Sequence, residues 1–400
     1  MSFVELMDAF NSGDEVICYK TMKARDFMEF NPKESLKKGE LATKVAMDKL
    51  LPFEKFISSM EQAPFSGGSK FKNGDTLLAR ITPCLENGKT AFVDGLKEGE
   101  VAFGSTEFIV LRGRKGVSDP QFIYYLAISS FFRNIAIKSM VGSSGRQRVQ
   151  IGALEDIDIK VPSLEEQRRI ASGLALLDSK IALNSRINDN LFAQAKLLFD
   201  NEIANVSSIP SEWKKGTLLD IATYTNGLAM QRFRPADDEI GIPVLKIKEL
   251  RQGFCDSASE LCSTHINEEY LISDGDVIFS WSGSLLIDLW GGDICGLNQH
   301  LFKLTSSEYP KWFYYLWTLH HLDRFITIAA DKATTMGHIK RGDLAQAEVI
   351  IPSNDDINRI GAAISPIVNL IIANKVESRK MAALRDKMLI KLITNAQNQS

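Results

Sequence analysis

Between Leu164 and Glu202 apolar positions recur at alternating intervals of four and three: Ile170, Leu174, Leu177, Ile181, then Asn184, Asn188, Leu191, Ala195 and Leu198. That spacing is the a/d seam of a coiled coil and predicts one long helix. It returns without a gap 190 residues later, at Ile360, Ile364, Ile367, Ile371, Asn374, Ser378, Met381, Arg385 and Met388, weakening after Asn374. So narrow an apolar stripe is seldom stable alone, and each helix is the expected partner of the other. The pairing residues are Ile170, Leu174, Leu177, Ile181, Asn184 and Leu191 on one side, and Ile360, Ile364, Ile367, Ile371, Asn374 and Met381 on the other. A buried Asn on an apolar seam fixes register, because any slip strands its amide against hydrocarbon. If the helices run antiparallel, the repeat brings Asn184 and Asn374 together. Pro366 interrupts the second pattern: it either kinks the helix or, with Ser365 as N-cap, restarts it.

Outside these helices the texture is short apolar runs broken by Gly, Asn and Pro. Asn73-Gly74-Asp75 precedes a strand at 76–81, Glu86-Asn87-Gly88 precedes one at 89–93, and Glu107–Leu111 is another. Asp119-Pro120 opens a helix with Phe122, Tyr125, Leu126 and Ser129 on one face. The second half repeats the order: Asp274-Gly275-Asp276 leads 277–281, His300–Leu304 answers Glu107–Leu111, and the helix from Tyr309-Pro310 answers the one from Asp119. The Tyr-Tyr pairs of those two helices and Trp312 read as core. Phe3, Leu6, Met7 and Phe10 form a short amphipathic helix at the start. The expected fold is mixed α/β (α+β), a tandem duplication with pseudo-two-fold symmetry, in which two long helices form an antiparallel coiled coil. Its parts are a domain at 1–162, a helix at 163–205, a domain at 206–352 entered through the linker Val206–Trp213, and a helix at 353–400.

Charge complicates a nucleic-acid reading. The net charge is −3; residues 1–162 carry 22 Lys+Arg against 21 Asp+Glu, and residues 206–352 carry 13 against 19. Any DNA binding must come from local basic clusters or be shared with a partner. The five cysteines, at 18, 84, 255, 262 and 295, show no CxxC pair and no signal peptide precedes them, so they read as reduced thiols of a cytoplasmic protein. No apolar run reaches the roughly 20 residues of a membrane span.

Catalytic motifs fail on mechanism. Gly88-Lys89-Thr90 resembles the end of a phosphate loop, but the first glycine of that motif falls on Pro83, which has no N–H to give a phosphate. Asp75, Glu86 and Lys89 approximate a metal-dependent nuclease trio, with the Lys one residue too far along. The five histidines lack metal-ligand spacing, so no metal site is expected.

The order of these segments, with SLEEQRRIA opening a long helix, GSSGRQRV at 142–149 and NGDTLLARI at 73–81, resembles the specificity subunit of type I restriction–modification systems over essentially the whole chain. In the second half GSSGRQRV is matched only by Ala333–Lys340, and Leu164–Gln167 by Asn354–Ile357. The resemblance implies a non-catalytic reader of double-stranded DNA, with two target-recognition domains each reading half of a split, asymmetric site. Its helices would dock two methyltransferase subunits, joined by restriction motor-nuclease subunits. S-adenosylmethionine, ATP and Mg²⁺ would belong to those partners. On this reading the first-domain DNA contacts are Arg80, Lys89, Ser143, Ser144, Arg146, Gln147 and Arg148, since Arg can grip guanine or phosphate and Gln can read adenine. In the second domain they are Gln231, Arg232, Arg234, Lys246 and Lys248, then Thr334, Thr335, His338 and Lys340, with Trp281 and Ser282 at the end of the repeated strand. The rival readings are a protein-interaction scaffold with no DNA role, which the acidic second domain favours, and a nuclease built on Asp75, Glu86 and Lys89.

Overall fold

A computed structural model describes residues 17–256, 258–331 and 337–398. The helix expected at the chain start, and Thr334 and Thr335, lie outside them. The chain forms two compact units: residues up to Ala182 with those from Met381 onward, and Leu183–Lys380. Both division points fall inside long helices, so each helix contributes to both units.

In the first unit the Asn73-Gly74-Asp75 turn works as its residue types require. Gly74 takes φ +89°, where a Cβ is unfavourable, and the Asp75 carboxylate accepts the Lys72 N–H at 2.8 Å. The chain then enters strand Thr76–Ala79, buried at every residue. This strand pairs antiparallel with Thr90–Phe92 and Phe108–Gly113, and Met28–Phe30 completes four strands. A second four-stranded sheet runs Glu61–Pro64, Leu41–Val45, Ala102–Gly104, Lys70–Phe71, its central pair parallel. Lys20–Lys23 pairs with Asp158–Val161 in a ribbon at the entry to the first long helix.

The second unit repeats this topology strand for strand. Thr223–Asn226, Leu301–Thr305, Val277–Ser280 and Leu286–Leu289 make the antiparallel sheet. Leu261–Cys262, Ile242–Leu245, Cys295–Leu297 and Leu271–Ile272 make the mixed one, again with a parallel central pair. The turn is copied in detail: Gly275 has φ +87° and Asp276 accepts the Ser273 N–H at 2.8 Å.

Helix Pro120–Ile128 starts on Asp119, whose Oδ1 accepts the N–H groups of Gln121 and Phe122 at 3.0 Å each. Phe122 through Ala127 are all buried, not one face only. The reason is enclosure: the helix packs within the core that also takes Ile170, Leu174 and Leu177 of the long helix. Lys311–His320 is the counterpart, with Trp312 through Thr318 buried. The tyrosine pairs and Trp312 are core residues, as their pattern indicates.

The long helices duplicate residue for residue. They span Leu164–Phe199 and Asn354–Leu389, and each runs on into a π-type turn, Asp200–Ala204 and Ile390–Thr394. Ser163 and Ser353 cap them, each Oγ accepting the N–H three residues on, at 3.2 Å. The second helix is continuous through the exposed Pro366, so it does not restart there.

Most of the seam residues are buried, with Ile181, Leu191, Ile367 and Met381 half-buried, but not in a simple helix–helix interface. Ile170, Leu174 and Leu177 join Met388, Leu389 and Ile393 of the second helix inside the first unit's core, with Met381 packed against it. Ile360, Ile364 and Ile371 enter the second unit's core, where Leu191 and Ile367 pack. Each stripe is shared between the opposite helix and a globular domain. Among the described residues one helix, Asn354–Thr394, has an 18-residue window apolar enough by composition to cross a membrane, with mean hydropathy 1.3 and one third of the window buried. The sequence pattern predicts no such span, and Ile364, Val368 and Ile371 of this helix are core residues.

Within the second unit the helices run antiparallel through a cluster of amides. Asn184 Nδ2 donates to Ser378 Oγ at 3.2 Å, to Glu377 Oε2 at 2.8 Å and to the Asn374 carbonyl at 3.4 Å. Asn374 Nδ2 donates to Asn188 Oδ1 at 2.8 Å. Exchanging the two helices exchanges 184 with 374 and 188 with 378, so the two amide-to-partner bonds are copies related by the repeat. The expected meeting of Asn184 and Asn374 is present.

Candidate nucleic-acid interface

Strand Thr76–Ala79 continues into Arg80-Ile81-Thr82, and the tract 141–149 docks along that continuation. Val149 N–H donates to the Arg80 carbonyl at 2.9 Å and Thr82 N–H to the Gln147 carbonyl at 3.0 Å, with Ile81 opposite Arg148. The tract also closes on itself: Val141 and Arg148 exchange backbone hydrogen bonds at 3.0 and 2.9 Å. Closing so short a loop needs left-handed backbone, supplied by Gly142 at φ +138° and Gly145 at φ +77°. Ser143, Ser144 and Arg146 stand exposed at its tip, while Gln147 is half-buried.

Two arginines converge here on one carboxylate. Arg148 donates Nε to both Glu107 oxygens at 3.0 Å and Nη2 to Oε1 at 2.7 Å. Arg80 Nε lies 3.9 Å from Oε2, beyond hydrogen-bond reach, and the Arg80 N–H donates to the Glu107 carbonyl at 2.9 Å.

The second unit rebuilds the same backbone frame. Ile339 N–H donates to the Trp281 carbonyl at 3.1 Å, Gly283 N–H to the Gly337 carbonyl at 2.8 Å, and Trp281 N–H to the His300 carbonyl at 3.4 Å, with Ser282 opposite His338. Each bond has its first-unit counterpart, which equates Arg80 with Trp281, Glu107 with His300 and Arg148 with His338. The frame is duplicated and its side chains are exchanged. The Trp281 ring centroid lies 6.1 Å from His300, 6.3 Å from His338 and 5.7 Å from Phe302, and Trp281 Nε1 donates to Asn226 Oδ1 at 3.1 Å. Ser282 Oγ sits 3.0 Å from His300 Nδ1 and is buried. Sequence reasoning missed Glu107 and His300. Their signal was present, since each directly precedes the strand that answers the other, but only the backbone pairing shows that they face the tract.

The remaining nominated residues divide. Gln231 and Arg232 are exposed on the turn Met230–Arg232. Arg234 and Lys246 share Glu260, at 3.3 and 2.7 Å, and Lys248 pairs with Asp256 at 3.1 Å. These cations are partly neutralised, though Ile247 between the two lysines lies beside Gly283 of the frame. Lys340 is exposed, and its N–H is taken by Asp343 at 2.7 Å. Lys89 differs from expectation: its ammonium donates to the Met47 carbonyl at 3.0 Å and so ties a loop to the sheet. Asp75 is bound through both oxygens by Arg112, at 2.7 and 2.6 Å, with its side chain 1% exposed. Because Asp276 fills the same turn in the second unit, this aspartate is a feature of the repeat and not a nuclease ligand.

The chain thus carries two copies of one α/β domain, each with this frame. Residues 19–192 and 210–380 match the family model described as the type I restriction modification DNA specificity domain, and the chain belongs to that family. It is 23% identical over 295 residues to the type I restriction enzyme MjaIX specificity subunit of Methanocaldococcus jannaschii, a match spanning 68% of each chain. To the MjaVIII specificity subunit of the same organism it is 21% identical over 77% of this chain and 79% of that one. A local match to the EcoAI specificity subunit of Escherichia coli reaches 38% over 104 residues, 26% of this chain and 18% of that subunit. Among solved structures, the type I restriction–modification S subunit from M. genitalium superposes with a TM-score of 0.53 at 13% identity, covering 95% of this chain and 97% of that one. The role is DNA specificity within a type I restriction–modification complex, and catalysis belongs to other subunits. A scaffold without a DNA role is set aside by the family match.

Proposed function

We propose that the two domains read the two halves of one split, asymmetric DNA site, each through the strand end and tract that meet in its frame. The observation that carries this is the duplicated backbone pairing at Ile81 and Arg148, and at Ser282 and His338, filled with different side chains. A common frame with exchanged side chains is what two readers of different sequences need. Arg80, Ser143, Ser144, Arg146, Gln147 and Arg148 serve the first half-site. Trp281, Ser282, His338 and Lys340, with Gln231, Arg232, Arg234, Lys246 and Lys248 on adjoining segments, serve the second.

Two methyltransferase subunits dock on the long helices, and restriction motor-nuclease subunits join them. S-adenosylmethionine, ATP and Mg²⁺ are bound by those partners. They also supply much of the phosphate-neutralising charge that a chain of net charge −3 lacks. All five cysteines are unpaired thiols, which supports work in the cytoplasm.

The test is a methylation map of the host genome with and without this gene. Loss of one split adenine-methylated motif is expected. A motif that persists unchanged in the deletion strain would refute the reading.

A further inference from the structure

We infer that Glu107 is a positioning residue that holds Arg148 ready for a guanine in the first half-site, whereas the second domain reads its half-site at the same place without an arginine. This rests on the proposed reading that the strand end faces DNA.

A guanidinium offers two edges for paired hydrogen bonds, Nε with Nη2 and Nη1 with Nη2. Glu107 occupies the first, accepting both Nε and Nη2 of Arg148. Among the described residues the Nη1 edge meets only the Arg146 carbonyl, at 3.5 Å. Two parallel N–H donors on that edge match O6 and N7 of guanine in the major groove. Anchoring the other edge removes rotamer freedom before binding, so less is lost when the base is engaged. The charge argues the same way. Glu107 offsets the cation of Arg148, which makes the pair a weak phosphate grip and leaves base reading as its better use.

The second domain carries Trp281, His300 and His338 in the same three places. There the residue answering Glu107 is engaged with Ser282, and the frame presents an indole and an imidazole where the first presents two guanidiniums. The two half-sites are therefore read by different chemistry from one backbone arrangement.

The experiment uses the assembled complex and duplexes carrying every single base-pair change across both halves of the mapped motif. Arg148→Ala is expected to lose discrimination at one G·C pair of one half-site by roughly 10-fold or more. Arg148→Lys keeps the charge but not the fork. It should lose the same discrimination while keeping the salt dependence of binding. Glu107→Gln should relax that same pair several-fold, an effect that mere loss of fold would not confine to one base pair. Discrimination at the other half-site, measured in the same complex, is the internal control for folding.

If Arg148→Ala relaxes a G·C pair and Glu107→Gln leaves it intact, Glu107 does not position the arginine. If the relaxed pair is not G·C, the guanine assignment fails. If neither Arg148 variant changes any base pair while the complex still discriminates its mapped motif, Arg148 reads no base and this inference fails by itself; failure of the proposed reading would show separately, as a motif that does not depend on this gene.

Discussion

Arg385 Nη1 donates to Asp178 Oδ1 at 2.8 Å, and the two side chains are only 9% and 3% exposed. The positions related to them by the repeat are Ala195 and Val368, both in the apolar core of the second unit. One half of the duplication thus keeps a buried ion pair where the other keeps a hydrocarbon contact. A buried pair is weak evidence for stability, because desolvating two charges cancels much of their attraction, but removing one partner strands the other. Arg385→Ala should therefore cost about 3–5 kcal/mol, measured by urea denaturation. Copying the other half, with Asp178→Val and Arg385→Ala together, should recover part of this. Full recovery is not expected, because Asp178 also accepts the Tyr125 hydroxyl at 2.6 Å. A double variant less stable than Arg385→Ala alone would contradict the argument.

The same cluster contains Lys55, which is 3% exposed. Its ammonium donates to Gln121 Oε1 at 2.7 Å and the Tyr125 hydroxyl at 3.1 Å, ringed by Phe56, Phe92 and Tyr124. Burial pulls its pKa down to about 8, against the opposing pull of Asp178, Asp94 and Asp119, with Arg385 adding to the depression. In the unfolded chain the lysine titrates near 10.4. Below pH 8 both states are protonated and the folded state carries the full burden of a buried cation. Between pH 8 and 10 the unfolded chain binds more protons than the folded one, so stability rises with pH. The stability of the parent relative to Lys55→Met should increase by about 2 kcal/mol from pH 7.5 to pH 10. Above that, the raised pKa of the buried Tyr124 and Tyr125 acts in the opposite sense. A flat difference across the interval would show that Lys55 titrates normally.

Asn184 is 1% exposed, and among the described residues its Oδ1 has no hydrogen-bond partner, a cost that a leucine at the same place would not carry. Replacing Asn184 and Asn374 together by Leu should raise the urea midpoint while loosening register. Amide exchange over 181–192 would then become heterogeneous instead of following a single protection pattern. A variant with lower stability and unchanged exchange would mean that the amides hold the helices together and do not select their register.

Much of this architecture is legible in the residue pattern. The seam, its 190-residue echo and the glycine turns before Thr76 and Val277 follow from local rules that act within a few residues. What stays hidden depends on where distant segments meet. Nothing near Lys89 announces that its ammonium ends on Met47, and nothing near Glu107 announces that Arg148, 41 residues on, folds back onto it. The apolar stripes predict helix–helix seams, but periodicity reports that a face is buried, not what buries it. Ile170 and Ile364 pack on globular domains as well as on the opposite helix.

The paired aspartates Asp75 and Asp276 separate a structural role from a catalytic one. Both accept a backbone N–H at 2.8 Å to close the same turn, but their ionic surroundings differ. Asp75 has a 1% exposed side chain held through two bonds by Arg112, which also binds Glu34 at 2.5 Å. Asp276 is 23% exposed and meets Lys303 at 3.0 Å, while that lysine also donates to the Leu271 carbonyl at 2.7 Å. Removing Asp75 leaves a partly buried guanidinium with half its counter-charge, so Asp75→Ala should cost about 3–5 kcal/mol. Asp276→Ala removes a carboxylate that is itself 23% exposed and meets its lysine through one contact, and should cost nearer 1–2 kcal/mol. Denaturation of the two single variants gives the comparison directly. Equal costs would mean that the turn contributes everything and the ion pair nothing. If Asp75→Ala kept its stability and abolished a Mg²⁺-dependent cleavage by the purified chain, the nuclease reading would return.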